Sequence, residues 1–250
     1  MTGAGSGAAI TLAHHLTGDA ATWLAAACID VQQHPSAITR YFPAVSRRCG
    51  RVPLWADDVR GLRHGTIDDA ARGVLLGALT PIGPALVELL DDLYQHGDAG
   101  EKRGVLRGLH RLDTAEQPIG PALLPLIDDA LRTNDVRLVA AALQPYGAYY
   151  LGPDAYRQAV VKCVFTGVPL NVIANLAERQ TIELARMLVD LAHERSAAGR
   201  DIPDDIAAVV AAFPECLHRP DLPGALLAEL QPHIYIRSND TCASWTRTFT

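Results

Sequence analysis

Apolar residues along this chain recur at three- and four-residue spacing, and no stretch alternates long enough to read as a strand. The clearest case is 66–79. Thr66 can cap, Asp68 and Asp69 sit in the first turn against the helix dipole, and Ile67, Ala70, Ala71, Val74, Leu75, Ala78 and Leu79 line one face. The same pattern predicts helices over 19–33, from Pro81 to near Gly97, and over 102–112, the last opened by a capping box of Asp98 and Glu101. Further helices are expected over 117–132, 135–143, 153–165, 169–176, 178–199, 203–213 and 222–230, with Pro or Gly at most joints. Helices joined by short turns predict an all-α fold, an irregular HEAT-like α-solenoid stack of antiparallel helix hairpins built as a single domain. That domain is expected to span 10–233, between a flexible tail at 1–9 and a polar tail at 234–250.

Composition narrows the classes. The chain has 250 residues, 49% of them hydrophobic and 20% charged, enough apolar material for a sizeable core and too little charge for disorder. A net charge of -6 argues against a nucleic-acid partner, which would call for a basic face. No basic segment leads into an apolar run at the N-terminus, and no apolar run reaches the length of a membrane span. Five scattered cysteines without a Cys-x-x-Cys pair fit a reducing compartment, so a cytoplasmic protein is expected, and four of the five cysteines read as packing residues.

Three groups of residues could carry chemistry. Five Asp-Asp pairs invite the idea of a magnesium-dependent isoprenoid diphosphate enzyme, with Asp91 and Asp92 the pair to watch because their place late in a helix opposes the dipole. A third carboxylate one turn on is missing, since Gln95 stands there, and no two of the nine histidines are spaced i, i+4; neither a metal site nor a cofactor is expected. The second group is the stretch 36–51, where Arg40, Arg47, Arg48 and Arg51 occur with no acidic residue among them. A short helix starting at Pro43 would put Arg47 and Arg51 on one face, where they either hold an anion or pair with carboxylates of neighbouring helices. The third group runs from Tyr146 through Gln158 and Lys162 to Arg179, Glu183 and Arg186. Lys162 among apolar neighbours, with Glu183 as partner, is either a reactive pair or a structural ion pair between helices.

The order of these segments resembles the EboA family: RYFPAVSRRCGR at 40–51, TIDDAAR at 66–72, Gly97-Asp98 with Glu101, VLR at 105–107, LRTN at 131–134, PY at 145–146, QAVVKCVFTGVPL at 158–170, ELARML at 183–188 and ERSAAGR at 194–200. The resemblance implies a component of an ebo-type secondary-metabolite pathway, accompanied by a prenyltransferase and sugar-modifying enzymes acting on a prenylated cyclitol or sugar-derived product. On that reading the chain binds or converts a small anionic intermediate, with Lys162 and Glu183 as its reactive residues and Arg40, Arg47, Arg51, Tyr146, Gln158, Arg179 and Arg186 as ligand contacts. The alternative is a non-catalytic helical scaffold for another enzyme of the same pathway.

Overall fold

The computed structural model describes residues 12, 14–115 and 118–230; the tails expected at 1–9 and 234–250 lie outside the described residues. Regular structure among the described residues is helical, apart from an isolated antiparallel bridge between Pro53 and Thr66. The all-α expectation is met. Among the described residues the chain groups into two compact units, the first running to Gly152 and taking in Val172–Ala174, the second comprising Pro153–Asn171 and 175–230.

In the first unit, helix α1 (Gly18–Gln33) begins where the Thr17 hydroxyl accepts from the Ala20 amide and ends at His34, ahead of Pro35. Two short helices follow, α2 (Ile38–Tyr41) and α3 (Val45–Cys49), with Pro43 in the 3-10 turn between them. Helix α3 stops at Gly50, whose φ of 91° only glycine adopts freely, so Arg51 lies beyond the helix and does not share a helical face with Arg47. Helix α4 (Ile67–Gly77) carries a full capping box: the Asp69 carboxylate accepts from the Thr66 amide at 3.0 Å while the Thr66 side chain serves the Asp69 amide. Helix α5 (Gly83–Gln95) starts later than Pro81 because Pro84 occupies its first turn, and α6 (Ala99–Leu112) has the expected Asp98–Glu101 box.

The helix expected over 117–132 is shorter: a 3-10 turn, Gly120–Leu123, precedes α7 (Leu124–Arg132), since Pro121 and Pro125 each remove an amide donor from the α ladder. Helix α8 (Val136–Ala142) follows. Helix α9 (Pro145–Tyr150) was not anticipated, although Gln144-Pro145 places a proline where a helix tolerates it.

Helices α4 and α6 form the tightest pair of the first unit, and α6 makes that possible with glycines at i, i+4 spacing. A Cβ on Gly104 would lie 2.4 Å from Arg72 Cδ, and one on Gly108 would lie 2.5 Å from Leu76 Cδ1. Leu75, Leu76, Val105, Leu106 and Leu109 are buried in the same contact.

The second unit is built on α12 (Ile182–Ala197). Ahead of it stand α10 (Pro153–Thr166) and the single turn α11 (Leu176–Arg179), and after it come α13 (Asp204–Val210) and α14 (Gly224–Leu230). The expected helix over 169–176 breaks into a 3-10 turn, Leu170–Val172, and Asn175 in left-handed backbone at φ 56°. Val160, Cys163 and Val164 of α10 and Leu184, Leu188 and Val189 of α12 fill an apolar core with Ile206 and Val210. Asp205, first-turn charge in the sequence, accepts from the Leu170 amide at 2.6 Å and so ties a turn to α13.

Candidate functional site

The start of α4 holds charge inside the first unit. Asp68, Asp69 and Arg72 are buried to 4% exposure or less, and Arg103 to 5%. Arg72 donates to Asp68 Oδ2 at 2.7 Å, to the Ser46 hydroxyl at 2.8 Å and to the Phe42 carbonyl at 3.3 Å. Arg103 reaches both oxygens of Asp69 through Nε, at 2.7 and 2.8 Å, and the Thr66 hydroxyl at 3.1 Å. Thr66 in turn donates to Asp68 Oδ1 at 2.6 Å. Burial pushes the Asp68 carboxyl up, but the Thr66 hydroxyl and the guanidinium groups of Arg72 and Arg103 outweigh it and hold the group below its ordinary value. Neutralising partners and acceptors thus meet the cost of burying these charges.

Two cavities flank this network. One, of about 260 Å³, is lined by Arg51, Thr66, Asp68, Asp98, Gly100, Arg103 and Arg137. Its charges are mixed, and Asp68 and Arg103 are already committed to each other's network. The second, of about 190 Å³, is different: Arg63, Arg107 and Arg111 line it with His64 and His110, and its only carboxylate is Asp69, already gripped by Arg103.

The second cavity is a product of the loop over 51–66. Asp58 organises that loop by accepting from the amides of Leu62 at 2.9 Å, Arg63 at 3.0 Å and His64 at 2.7 Å. Arg107 then clamps it from α6, donating to the carbonyls of Gly61 at 3.0 Å and Leu62 at 2.6 Å. Arg107 Nε stays 3.7 Å from Asp69 Oδ2 and is buried without a hydrogen-bond partner, as is His110 Nδ1. Arg111 lies across Gly73, where a Cβ would come within 3.2 Å of its Nη1. Burial works against the charge of Arg111 with no opposing carboxylate to restore it. His110 is pushed below its ordinary value by burial first and by the Arg111 charge second. The guanidiniums keep their protons in any case; Arg107 spends its terminal nitrogens on the loop carbonyls and Arg63 is exposed, so part-buried Arg111 is the positive charge at this cavity without a carboxylate beside it.

The family model described as metabolite traffic protein EboA matches residues 9–211. The chain belongs to the EboA family. No curated protein and no solved structure matches it.

Within this EboA chain the sequence-predicted residues fall into separate places. Arg40, exposed, donates to Asp30 Oδ2 at 2.6 Å and to the Tyr41 hydroxyl at 2.7 Å, the pairing with a neighbouring helix that was the alternative to an anion site. Arg47 is exposed on α3, and Arg51 lines the mixed cavity. Tyr146 is buried in the first unit, where its hydroxyl donates to the Gly120 carbonyl at 2.6 Å and accepts from the Leu123 amide at 3.1 Å, fixing the turn before α7. In the second unit, Gln158 is exposed and Lys162 half-buried on α10, and the Arg179 guanidinium stacks 4.0 Å from the Tyr156 ring. Glu183 is exposed, held below the ordinary carboxylate range by the Thr181 side chain at the start of α12; Arg186 is exposed. Among the described residues no ion pair joins Lys162 to Glu183, so the expected partnership is not formed: the carboxylate serves its own helix start.

Asp91 and Asp92 are exposed and engaged locally, by Gln95 at 3.2 Å and His96 at 3.1 Å. Among the described residues no group of three His, Cys, Asp or Glu side chains is placed to hold a metal ion. Cys49, Cys163 and Cys216 are buried with thiols pushed up to about 11, 12 and 11, as packing residues should be. Sequence reasoning missed Arg63, Arg107, Arg111 and His110. The one signal available was VLR at 105–107 within an arginine-rich helix otherwise facing a neighbour.

Proposed function

We propose that this chain is a binding component of a metabolite pathway, one that holds a small anionic intermediate in the cavity between α4, α6 and the loop over 51–66. The observation that carries the reading is Arg111: a partly desolvated guanidinium with no carboxylate beside it, facing a cavity it shares with Arg63 and Arg107. A phosphate, sulfate or carboxylate group supplies the acceptors these donors lack, and bidentate guanidinium pairing gives such groups both affinity and orientation. A volume of about 190 Å³ suits the charged end of a metabolite rather than a whole drug-sized molecule. The family's description as a metabolite traffic protein supports holding and release over bond-making. The finer assignment follows the family resemblance, an ebo-type pathway with a prenylated cyclitol or sugar-derived product.

The test is direct. Inorganic sulfate should bind the purified chain and raise its melting temperature with the logarithm of sulfate concentration above Kd, and Arg111→Gln should weaken that binding at least about tenfold while leaving helical content unchanged. A strain carrying Arg111→Gln should also lose pathway product. Unchanged sulfate affinity in Arg111→Gln refutes the reading.

A further inference from the structure

The cavity contains one group that can change charge near neutral pH while buried among fixed charges. His110 sits one turn past Arg107 and next to Arg111 on α6, lines the cavity, and has its Nδ1 buried with no hydrogen bond. Resting on the anion-site reading, we infer that His110 makes ligand binding proton-coupled: the ring is neutral in the empty cavity and takes up a proton when an anion enters.

The charges around the ring explain both states. On its own helix stand Arg107 and Arg111, whose charges oppose protonation, as does burial; the Arg107 carbonyl opposes the shift in part without meeting the geometry of a hydrogen bond. Across the cavity stand Asp69 on α4, engaged by Arg103, and Arg63 and His64 on the loop, while Gln144 at the start of α9 brings no charge. Helices α5, α8 and α9 also pack on α6. Glu88 and Tyr149 there are exposed, and the other ionisable groups are engaged elsewhere: Asp91 and Asp92 with Gln95 and His96, Tyr94 with Asp129, Arg137 at the other cavity, Tyr146 in the turn before α7 and Tyr150 with Asp113. An anion among the three guanidiniums cancels the repulsion felt by the ring and offers an acceptor for its N–H, so the protonated form becomes the favoured one.

The sign follows from linkage. A ring whose proton affinity rises on binding takes up a proton as the ligand enters, so affinity increases as pH falls. Release is favoured at higher pH, which gives a traffic protein a way to unload without a conformational change.

The experiment is isothermal titration calorimetry of the full chain with sulfate, which does not titrate near neutrality, in two cationic buffers of different ionisation enthalpy. The expected result is fractional proton uptake near pH 7, an affinity about tenfold higher at pH 6 than at pH 8, and loss of both in His110→Gln but not in a change of the exposed His96 after α5, His96→Gln. Sulfate binding without proton uptake, or uptake that survives His110→Gln, overturns the inference and leaves the anion site standing. No sulfate binding at any pH overturns the anion site and the inference together. Should His110→Gln fail to fold, the His110 ring resonance in the unaltered chain decides: sulfate must move its titration midpoint upward, and an unmoved midpoint refutes the coupling.

Discussion

Two sets of arginines sit within one turn or two of each other on the same helix pair and have opposite surroundings. Arg72 and Arg103 are committed within the fold: Arg72 bonds through all three nitrogens and Arg103 through Nε and Nη2, to carboxylates, hydroxyls and a carbonyl. Arg111 has no acidic partner, and Arg107 spends its terminal nitrogens on loop carbonyls while its Nε goes unbonded. The first arrangement is what a fold needs to bury charge at tolerable cost. The second leaves an acceptor deficit beside a cavity, which a fold has no reason to maintain and a ligand site does.

The contrast breaks most visibly on the committed side. Asp68→Ala leaves Arg72, wholly buried, without its countercharge; a loss of about 3–5 kcal/mol is expected, read from the denaturant midpoint. Gly104→Ala drives a methyl into the Arg72 side chain that the network holds still, with an expected cost of about 1–3 kcal/mol by the same measurement. The acid limb of stability tests the charge state. Because the folded-state Asp68 carboxyl lies below its ordinary value, its contribution is present above the unfolded value of about 4 and is lost as pH falls through the folded one. Asp68→Asn should therefore flatten the stability profile below about pH 4 relative to the unaltered chain.

On the other side the order of effects reverses. Arg111→Gln should change stability by less than about 1 kcal/mol in the absence of anions, and even raise it, while abolishing most of the stabilisation that sulfate confers. Equal stability losses for Arg111→Gln and Asp68→Ala would erase the distinction between the two sets. As a surface reference in the second unit, Arg219 bridges Asp190 and Asp221 from a third-exposed position, and Arg219→Ala should cost under about 1 kcal/mol.

Much of this was legible along the chain. The helix spacing, the Thr66 and Asp98 caps and the buried apolar stripe of α4 follow from local rules that act within one or two turns. Asp68 and Asp69 also stand in the first turn as expected, yet the dipole is the lesser part of their role, because partners from 20 to 40 positions away in sequence surround them. The arginine stretch 36–51 was legible as a cation-rich segment and not as a site: Gly50 turns the chain so that Arg47 and Arg51 part, and Arg40 finds Asp30. Local pattern likewise could not tell that the Glu183 carboxylate engages the Thr181 side chain at the start of α12 instead of meeting Lys162.

The sequence by itself determined that the chain is helical, acidic overall and a member of its family, since periodicity, composition and motif order are properties of neighbours along the backbone. Only the tertiary structure decided which arginines are satisfied. The charge of a guanidinium is fixed by its chemistry, but its partners are set by distance, and Arg103 and Arg111 differ only in what the packing of α4 and the loop over 51–66 brings to each.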